Sequence, residues 1–338
     1  MKRWILQAGA TTVDGLIEEA VETPHPGPGQ VRVRVSAVSL NFRDHLILSD
    51  AHEPWRLNSD LVPAADGAGV VDAVGEGVTK WNVGDRVLTV YLRNFPTWPP
   101  NDDIGLGLGS RDEHGVLAEY VVLPEARLTR APDNLSLAEA STLPCAAVTA
   151  WTGLQHAHPV STGHKVLMLG TGGVSLFAVS LAKALGAEVF VTSSRDDNAA
   201  RLKALGVERA FNYKTDAEWG KSVFAATGGV NKVINTAGLG SVNQSVQALA
   251  YGGDIAVIGL MTFGDAIDPG LFLAKGVSLR GIPVGSREQQ EQVVDFIERH
   301  DIKPIIHETY HFFDVRAAYE AQLSPSLFGK VVIKVSAE

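Results

Sequence analysis

The sequence predicts an α/β protein with two domains, one rich in β-strands and one built on a doubly wound parallel sheet of six strands. Three observations support this prediction. Short apolar runs separated by turn residues fill roughly the first 125 residues, whereas apolar runs alternate with helical patterns between residues 146 and 285. A glycine-rich turn follows the first strand of the second region. A chain of 338 residues is also long enough to form two cores.

Strand patterns define the first domain, predicted to comprise residues 1–145 and, after the chain returns, residues 286–338. Residues 31–35 alternate strictly between apolar and polar side chains, as a half-buried strand does. Further strands are predicted at residues 70–74, 85–90, 118–123 and 329–335. A long irregular loop at residues 91–115 interrupts them, and such loops often carry function.

Strands and helices alternate through the second domain, residues 146–285. A helical pattern at residues 137–154, interrupted by Pro144, leads into a buried strand at 166–169. A helix follows the glycine turn and is predicted to end at Gly186. The remaining strands are predicted at residues 188–192, 209–213, 230–235, 253–258 and 277–282, with helices at 198–205 and 241–249. A further helix is predicted at residues 288–299, where the chain has returned to the first domain.

The glycine turn has the composition of a dinucleotide-binding turn. Gly170 allows a tight reversal, and Gly172 lacks the Cβ that would keep a pyrophosphate away from the backbone. The helix that begins there offers unpaired N–H groups and the positive end of its dipole. With strands on both sides, the turn predicts that Gly170, Gly172, Gly173 and Val174 contact a pyrophosphate, with Ser175 at the third small position. The alternative is a glycine turn with a purely structural role.

The residues after the second strand favour NADP over NAD. An NAD enzyme carries an acid there for the ribose 2′-hydroxyl, whereas a 2′-phosphate requires a cation and hydroxyls. The sequence places Ser193, Ser194 and Arg195 at this point. The first acid, Asp196, comes late and is better suited to begin the next helix. We therefore expect NADPH as cofactor; an Arg195 that is merely solvated is the alternative.

Composition and charge exclude several classes of partner. A formal net charge of −9 argues against nucleic acid and against an anionic membrane. The single cysteine, Cys145, excludes intramolecular disulfides and multi-cysteine metal clusters, and it fits a reducing cytoplasm. No run approaches the ~20 apolar residues that span a bilayer, and the N-terminal apolar run is too short for a signal peptide. These features predict a cytoplasmic protein that acts on a small molecule.

Motifs spread over nearly the whole chain resemble the medium-chain dehydrogenase/reductase superfamily, in its zinc-free quinone-oxidoreductase-like and zinc-type alcohol dehydrogenase-like branches. The matching segments are residues 28–33, 41–44, 67–71, 74–78, 84–87, 142–151, 169–174, 211–213, 257–259 and 329–333. The resemblance implies a GroES-like catalytic domain, a Rossmann domain, a substrate cleft between them, and a homodimer.

The resemblance also indicates that catalytic zinc is absent. Zinc enzymes of this superfamily bind the metal through Cys, His and Cys, with a Glu beside the His. The corresponding positions here are Asn41, Ala65 and Cys145, with Asp66 at the position of the Glu. Catalytic zinc requires three protein ligands of nitrogen, sulfur or carboxylate type. The proton-relay histidine is replaced by Leu46, and the four-cysteine structural zinc lobe is missing. We therefore expect no metal.

Two histidine patterns allow a different interpretation. Residues 307–311 match the H-E-x-x-H signature of zinc proteases, which requires a helix. The surrounding β-branched and aromatic residues instead favour a strand, in which Glu308 would point away from both histidines. His156 and His158 precede Pro159 at a predicted helix end and are expected to be solvated.

The resemblance implies roles for further residues around the cofactor. Thr149 matches the family threonine that contacts the nicotinamide, with a threonine bonded to its own helix as the alternative. Tyr213 would flank the 2′-phosphate together with Arg195. The ribose and nicotinamide would be lined by Asn235, Gly259, Leu260, Pro283, Val284, Gly285 and Arg287.

The substrate side has weaker sequence signals. Asn41 is the best candidate to face the substrate carbonyl, because its amide can donate a hydrogen bond. Asp44 is more plausibly structural and paired to an arginine or lysine, with proton transfer as the alternative. Trp55, Phe95 and Trp98 are candidates for an apolar pocket wall, or they pack the loops. No residue stands out as a general acid, so solvent would protonate the product.

These inferences predict an NADPH-dependent reductase of electron-poor C=C bonds or quinones that works without a metal. Two alternatives stay open. An alcohol dehydrogenase or ketone reductase would require an electrophile at the carbonyl, and a regulatory or structural protein would bind NADPH without useful turnover.

Overall fold

The computed structural model describes residues 1–49, 53, 55–111, 113–262, 264 and 266–336. The chain divides into two compact units. Unit 1 comprises residues 1–148 together with the chain from Gly285 onward, and unit 2 comprises residues 149–284.

The strands, in chain order, are β1 (Lys2–Leu6), β2 (Leu16–Ala20), β3 (Gln30–Ser39), β4 (Asp66–Val74), β5 (Arg86–Thr89), β6 (Tyr120–Pro124), β7 (Leu128–Arg130), β8 (Lys165–Leu169), β9 (Glu188–Ser193), β10 (Arg209–Asn212), β11 (Val230–Asn235), β12 (Leu249–Val257), β13 (Ser278–Gly281), β14 (Ile306–His311) and β15 (Lys330–Lys334). The α-helices are α1 (Phe42–Leu48), α2 (Leu137–Ala140), α3 (Val148–Gln155), α4 (Gly173–Ala184), α5 (Asn198–Ala204), α6 (Trp219–Thr227), α7 (Val242–Ala248), α8 (Pro269–Lys275), α9 (Arg287–Arg299) and α10 (Val315–Ala321). Within the described part of the chain, no helix has the length and apolar character needed to cross a bilayer.

Unit 1 is built around strand β3. The main sheet runs β14-β15-β3-β4-β5-β7, and β6 also pairs with β3. Val31, Val33 and Val35 are buried, whereas the arginines between them are half-buried, so the predicted alternation is confirmed. Beyond Val35 the strand is buried on both faces as far as Ser39. The end of β3 therefore leads directly into the buried turn that precedes α1.

Unit 2 is a Rossmann sheet of six parallel strands in the order β10-β9-β8-β11-β12-β13. Val166, Leu167 and Met168 of β8 are fully buried, as expected for a central parallel strand covered on both faces. The strand order reverses between β8 and β11. In such sheets the crevice at the carboxyl ends of the strands, at this switch point, is where nucleotides bind. The predicted fold class is confirmed in both units.

Several elements differ from the sequence prediction. Patterns did not predict β1, β2 and β7, nor helices α1, α6, α8 and α10. The hairpin β1–β2 was missed because consecutive charged residues interrupt the apolar alternation of both strands. They form cross-strand ion pairs on the two faces of the hairpin, with Lys2 Nζ 2.8 Å from Glu18 and Arg3 Nε 2.6 Å from Glu19. The helical pattern at 137–154 is divided into α2, a π-helical turn at Leu143–Ala147, and α3. Pro144 lies in that turn, which accommodates its missing N–H.

Candidate functional site

The glycine turn of unit 2 has the geometry that a pyrophosphate requires. Gly170 has a φ of +81°, a value that favours glycine. Gly172 is the N-cap of α4, and a Cβ built on it would have no described heavy atom within 4 Å. The first turn of α4 carries no acidic side chain. Its open N–H groups can therefore bind an anion, and the residues present fit the diphosphate of a dinucleotide.

Ser175 has a role that glycine could not fill. Its hydroxyl donates to the carbonyl of Leu169 at 2.8 Å and lies 3.1 Å from the hydroxyl of Thr236. Thr236 also donates to the carbonyl of Leu169. The start of α4, the end of β8 and the segment after β11 are thus joined at the switch point.

The residues predicted to bind the 2′-phosphate lie at the ends of β9 and β10. Asn212 is paired with Ser193 in the sheet, and the N–H of Tyr213 donates to the carbonyl of Ser193 at 3.1 Å, which places Tyr213 beside Ser194. Arg195 is exposed and pairs with the carboxylate of Asp197. Ser194, Arg195 and Tyr213 therefore present a hydroxyl, a guanidinium and a phenol near one another on the surface.

Ser193 differs from its neighbours, because its hydroxyl is already committed. It is buried and accepts hydrogen bonds from the N–H of Arg195 at 3.2 Å and from Nδ2 of Asn198 at 3.1 Å. Its role is to close the turn after β9. Lys214 was not among the predicted residues, and its ammonium lies 5.9 Å from the ring centre of Tyr213. Lys214 is a second cation on this surface, and its position directly after Tyr213 was the available signal.

The loop after β11 is held by Asn235. The fully buried side chain of Asn235 accepts N–H bonds from Ala237 and Gly238 and donates to the carbonyl of Gly238. Asn235 thus shapes the loop through its backbone. A Cβ on Gly259 would lie 2.0 Å from the carbonyl oxygen of Thr236, which explains the glycine there, and Leu260 is half exposed.

The segment predicted to line the nicotinamide crosses the boundary between the units. Pro283 is exposed and Val284 buried in unit 2, whereas Gly285 and Arg287 belong to unit 1. The backbone N–H of Arg287 donates to the carbonyl of Phe95 at 2.9 Å, at the beginning of α9.

Thr149 has a buried hydroxyl that has no hydrogen-bond partner among the described residues. A helix threonine bonded to its own backbone would have its hydroxyl satisfied. A buried orphan hydroxyl instead needs an external partner, and the carboxamide of a nicotinamide fits that need.

Asn41 and Asp44 form one capping unit in unit 1. The backbone N–H of Asn41, the N-cap of α1, donates to Oδ2 of Asp44 at 2.8 Å. Burial raises the pKa of Asp44, and the charge of Arg43 opposes that rise. Asp44 therefore caps the start of α1, which agrees with the structural role that the sequence favoured for it.

Lys330 brings a buried positive charge to Asn41. Its ammonium donates to the carbonyl of Leu40 and to Oδ1 of Asn41, both at 2.5 Å, and lies 3.7 Å from the carboxylate of Asp66. Burial raises the pKa of Asp66 to about 6, and Lys330 and the amide of Asn41 restrain the rise. Sequence reasoning missed Lys330 because 289 residues separate it from Asn41.

A second cation, Arg43, lies in the same cluster. Its guanidinium is 4.4 Å from the ring centre of Tyr91, and Nη1 donates to the carbonyl of Leu106 at 2.6 Å. Its charge acts on both Cys145 and Asp66. The cluster around Asn41 thus contains two buried cations, Arg43 and Lys330.

The residues at the family's metal position do not fit zinc. Ala65 contributes only a methyl group, Asn41 Oδ1 is bonded to Lys330, and Asp66 lies beside that ammonium. Cys145 leaves one thiol, which is fewer than the three ligands required. Among the described residues, no three His, Cys, Asp or Glu side chains are grouped to hold a metal ion.

The aromatic residues of the long loop pack against one another. Phe95 is buried, and its ring centre lies 5.5 Å from that of Trp98. Trp55 is half-buried. For Phe95 these contacts favour the loop-packing alternative, since its carbonyl also accepts the N–H of Arg287.

The H-E-x-x-H segment forms strand β14, so the strand prediction is confirmed. Glu308 accepts a hydrogen bond from the hydroxyl of Tyr310 at 2.6 Å, on the face opposite His307 and His311. The His156–His158 segment follows α3, where His158 is exposed.

Two family models match the chain. One describes an alcohol dehydrogenase GroES-like domain and matches residues 27–133, and the other describes a zinc-binding dehydrogenase and matches residues 173–299. A zinc-type alcohol dehydrogenase-like protein of Schizosaccharomyces pombe is 39% identical, over 98% of this chain and 99% of the relative. A more distant relative, an acryloyl-coenzyme A reductase of Sulfurisphaera tokodaii, is 26% identical over 94% of this chain and 95% of its own length.

Solved structures agree with these matches. A protein of Sinorhizobium meliloti 1021 described as an alcohol dehydrogenase superposes with a TM-score of 0.90 at 38% identity, covering 99% of this chain and all of its own. An NAD-dependent alcohol dehydrogenase superposes with a TM-score of 0.89 at 31% identity and the same coverage.

A GroES-like domain combined with a Rossmann domain that carries a glycine turn defines an oxidoreductase of the dehydrogenase type. The chain belongs to the medium-chain dehydrogenase/reductase superfamily, among its zinc-type alcohol dehydrogenase-like members. The family predicted from the sequence motifs is confirmed.

Proposed function

We propose that the protein is an NADPH-dependent reductase that transfers hydride to an activated C=C bond or to a quinone without a metal ion. Bound NADPH would supply the hydride. The observation that carries this proposal is that an amide and a methyl group replace two of the three metal ligands, which leaves one thiol, and that the ammonium of Lys330 is bonded to the amide. Reducing a simple ketone needs a strong electrophile at its oxygen, which this donor set does not provide.

The chemistry of an activated acceptor suits the residues that are present. Hydride addition to the β-carbon of an enone moves the π electrons to the carbonyl oxygen, and a proton from solvent then completes the saturated product. The chain has only to orient the acceptor and stabilise the enolate oxygen. The amide of Asn41 and the positive charges of Lys330 and Arg43 can do this without acid catalysis.

The first test is a panel of acceptors. NADPH consumption is measured with quinones, enones, aldehydes and ketones, with and without a chelator. We expect turnover with quinones or enones, at a rate that 1,10-phenanthroline does not change. The purified protein should contain well below about 0.1 zinc ion per chain, because one thiol does not hold the metal. Turnover confined to ketones and abolished by the chelator would contradict the proposal. NADPH binding without oxidation of any acceptor would indicate a binding protein.

The second candidate is an alcohol dehydrogenase or ketone reductase, which the names of several similar proteins favour. The zinc content of the purified protein discriminates between the two. One tightly held zinc ion per chain would support the alcohol dehydrogenase, since that reaction needs a Lewis acid at the oxygen.

Cofactor choice is tested at Arg195. Replacing Arg195 with Asp removes a cation and adds an anion next to Ser194 and Tyr213. We expect NADPH to bind about 100-fold more weakly, because the 2′-phosphate then meets repulsion in place of a charge-assisted hydrogen bond. The Kd for NADH, which has no such phosphate, should change by less than about 3-fold.

A control for this variant is Lys203→Asp, which makes the same charge change at an exposed position of α5 in the same unit. This variant should leave the affinity for both cofactors nearly unchanged. For both variants, the measured quantity is the ratio of the Kd values for NADPH and NADH. Equal losses for the two cofactors in Arg195→Asp would show that Arg195 does not recognise the 2′-phosphate.

A further inference from the structure

The buried lysine at the start of β15 determines which way the Asn41 amide faces. Lys330 is 4% exposed, and its ammonium donates to Oδ1 of Asn41 and to the carbonyl of Leu40, both at 2.5 Å. An ammonium has only donors, so its partner in a side-chain amide must be the oxygen. The chemistry of Lys330 therefore assigns the oxygen and nitrogen of Asn41, and a flipped amide would place an NH₂ group against a cation.

With this assignment, the amide nitrogen of Asn41 is the group that can still donate hydrogen bonds. Nδ2 is buried and has no hydrogen-bond partner within the described residues. Both N–H groups of that nitrogen are therefore donors without an acceptor, and the two carboxylate oxygens of the buried Asp66 likewise have no hydrogen-bond partner among the described residues. A buried donor left unpaired destabilises the folded state, so such a group in a native protein calls for a partner.

The position of Asn41 indicates what that partner is. Asn41 is held from three directions: its N–H bonds Asp44, its Oδ1 bonds Lys330, and α1 begins directly after it. A donor fixed in this way needs no reorganisation when negative charge develops on an acceptor oxygen. Lys330 adds a positive charge on the far side of the amide, which polarises its N–H bonds toward that oxygen.

We propose that Lys330 is a positioning residue that fixes the Asn41 amide so that its N–H group, and not its oxygen, is presented to the carbonyl oxygen of an enone or quinone. This inference rests on the proposed function and names the group that stabilises the enolate or quinol oxygen. Lys330 does not touch the acceptor; it acts through Asn41.

A double-mutant cycle tests this coupling. The variants are Asn41→Ala, Lys330→Met and the double variant, with cyclohex-2-enone and 1,4-benzoquinone as acceptors. If Lys330 acts through Asn41, each single variant lowers kcat by about 100-fold, the size seen when one oxyanion donor is lost, and the double variant is no more than about 3-fold slower than either single one. Independent losses that multiply to about 10,000-fold would overturn the inference. Lys330→Arg, which keeps a donor-only cation, should recover part of the rate.

Asn41→Asp provides a test that does not require removal of the buried lysine. The aspartate keeps an oxygen for Lys330, so the variant should fold and bind NADPH with unchanged Kd, yet it has no N–H to donate. We expect the same loss of kcat as in Asn41→Ala. Full activity of Asn41→Asp would show that the amide donor is not used and would overturn the inference.

Lys275→Met is the matched control. The ammonium of Lys275 also bonds backbone carbonyls, those of Val246, Gln247 and Leu249, but it lies in unit 2 outside this cluster. It should lower the melting temperature and leave kcat unchanged. If the wild-type protein does not oxidise NADPH with any of the acceptors, the proposed function and this inference both fail. If it turns over but the losses in the mutant cycle multiply, the inference alone fails.

Discussion

Replacing Gly172 with Asp is expected to weaken NADPH binding by at least about 100-fold without destabilising the fold. A side chain at this N-cap has open space around it, and the backbone φ of −76° suits any residue. Aspartate is a favourable N-cap whose carboxylate accepts the free N–H groups of the helix. The same N–H groups are those that the pyrophosphate needs. The substitution therefore fills the anion site from within the chain.

Binding and stability should consequently move in opposite directions. NADPH titration followed by fluorescence should show the loss of affinity, while thermal unfolding without cofactor should give an equal or higher Tm, since the new cap contributes about 0.5–1 kcal/mol. Ala225→Asp, on the exposed face of α6 in the same unit, is the control for an added charge and should bind NADPH normally. Unchanged NADPH affinity in Gly172→Asp would place the pyrophosphate elsewhere.

The glycine turn could be predicted from the sequence because all of its determinants are local. A buried strand, two glycines and an amphipathic helix follow one another within residues 165–184, and β9 follows at once. The spacing of apolar residues identifies each strand and helix separately, and the parallel pairing of β8 with β9 follows from their order in the chain. The predicted positions of Gly170 and Gly172 therefore matched the structure without any knowledge of distant contacts.

The cluster around Asn41 was only partly predictable. The motif that contains Asn41 and Asp44 was found, but the partners of Asn41 come from β4 and β15. Lys330 lies at the start of an apolar strand, and nothing in the local pattern shows that its charged ammonium is buried. Ser193 shows the converse case: a hydroxyl at the right position for a phosphate is used to close the turn after β9. Side-chain commitments of this kind depend on tertiary contacts.

A second buried charge cluster, in unit 2, was also invisible in the sequence. Lys232 is 2% exposed and donates to the carbonyls of Gly153 and Leu154 at the end of α3, at 3.1 and 3.3 Å. Its ammonium lies 3.3 Å from Asp254, which forms a two-pronged pair with Arg280 at 2.6 and 3.0 Å. Burial lowers the pKa of Lys232 to about 8, and the charge of Asp254 limits the fall. Three strands and a helix are tied together by this one carboxylate.

Replacing Asp254 with Asn should therefore cost about 3–5 kcal/mol of unfolding free energy, the usual result of removing one partner of a buried ion pair. The buried Lys232 and the half-buried Arg280 would be left as neighbouring cations, and the pKa of Lys232 would fall further. Urea unfolding at pH 7 measures the loss. The exposed pair of Lys183 and Glu208, 3.4 Å apart, is the control, and Glu208→Gln should cost less than about 1 kcal/mol.

The loss in Asp254→Asn should also depend on pH. Wild-type Lys232 keeps its proton up to about pH 8 in the folded state. The folded variant releases that proton at a lower pH, whereas the unfolded chain holds it up to the ordinary lysine pKa of 10.5. Since the unfolded variant then binds more protons than the folded one, its stability rises with pH where that of the wild type does not. The deficit should narrow between pH 6 and pH 8. A deficit that is constant over this range, or below about 1 kcal/mol at pH 7, would show that Asp254 does not hold the charge of Lys232.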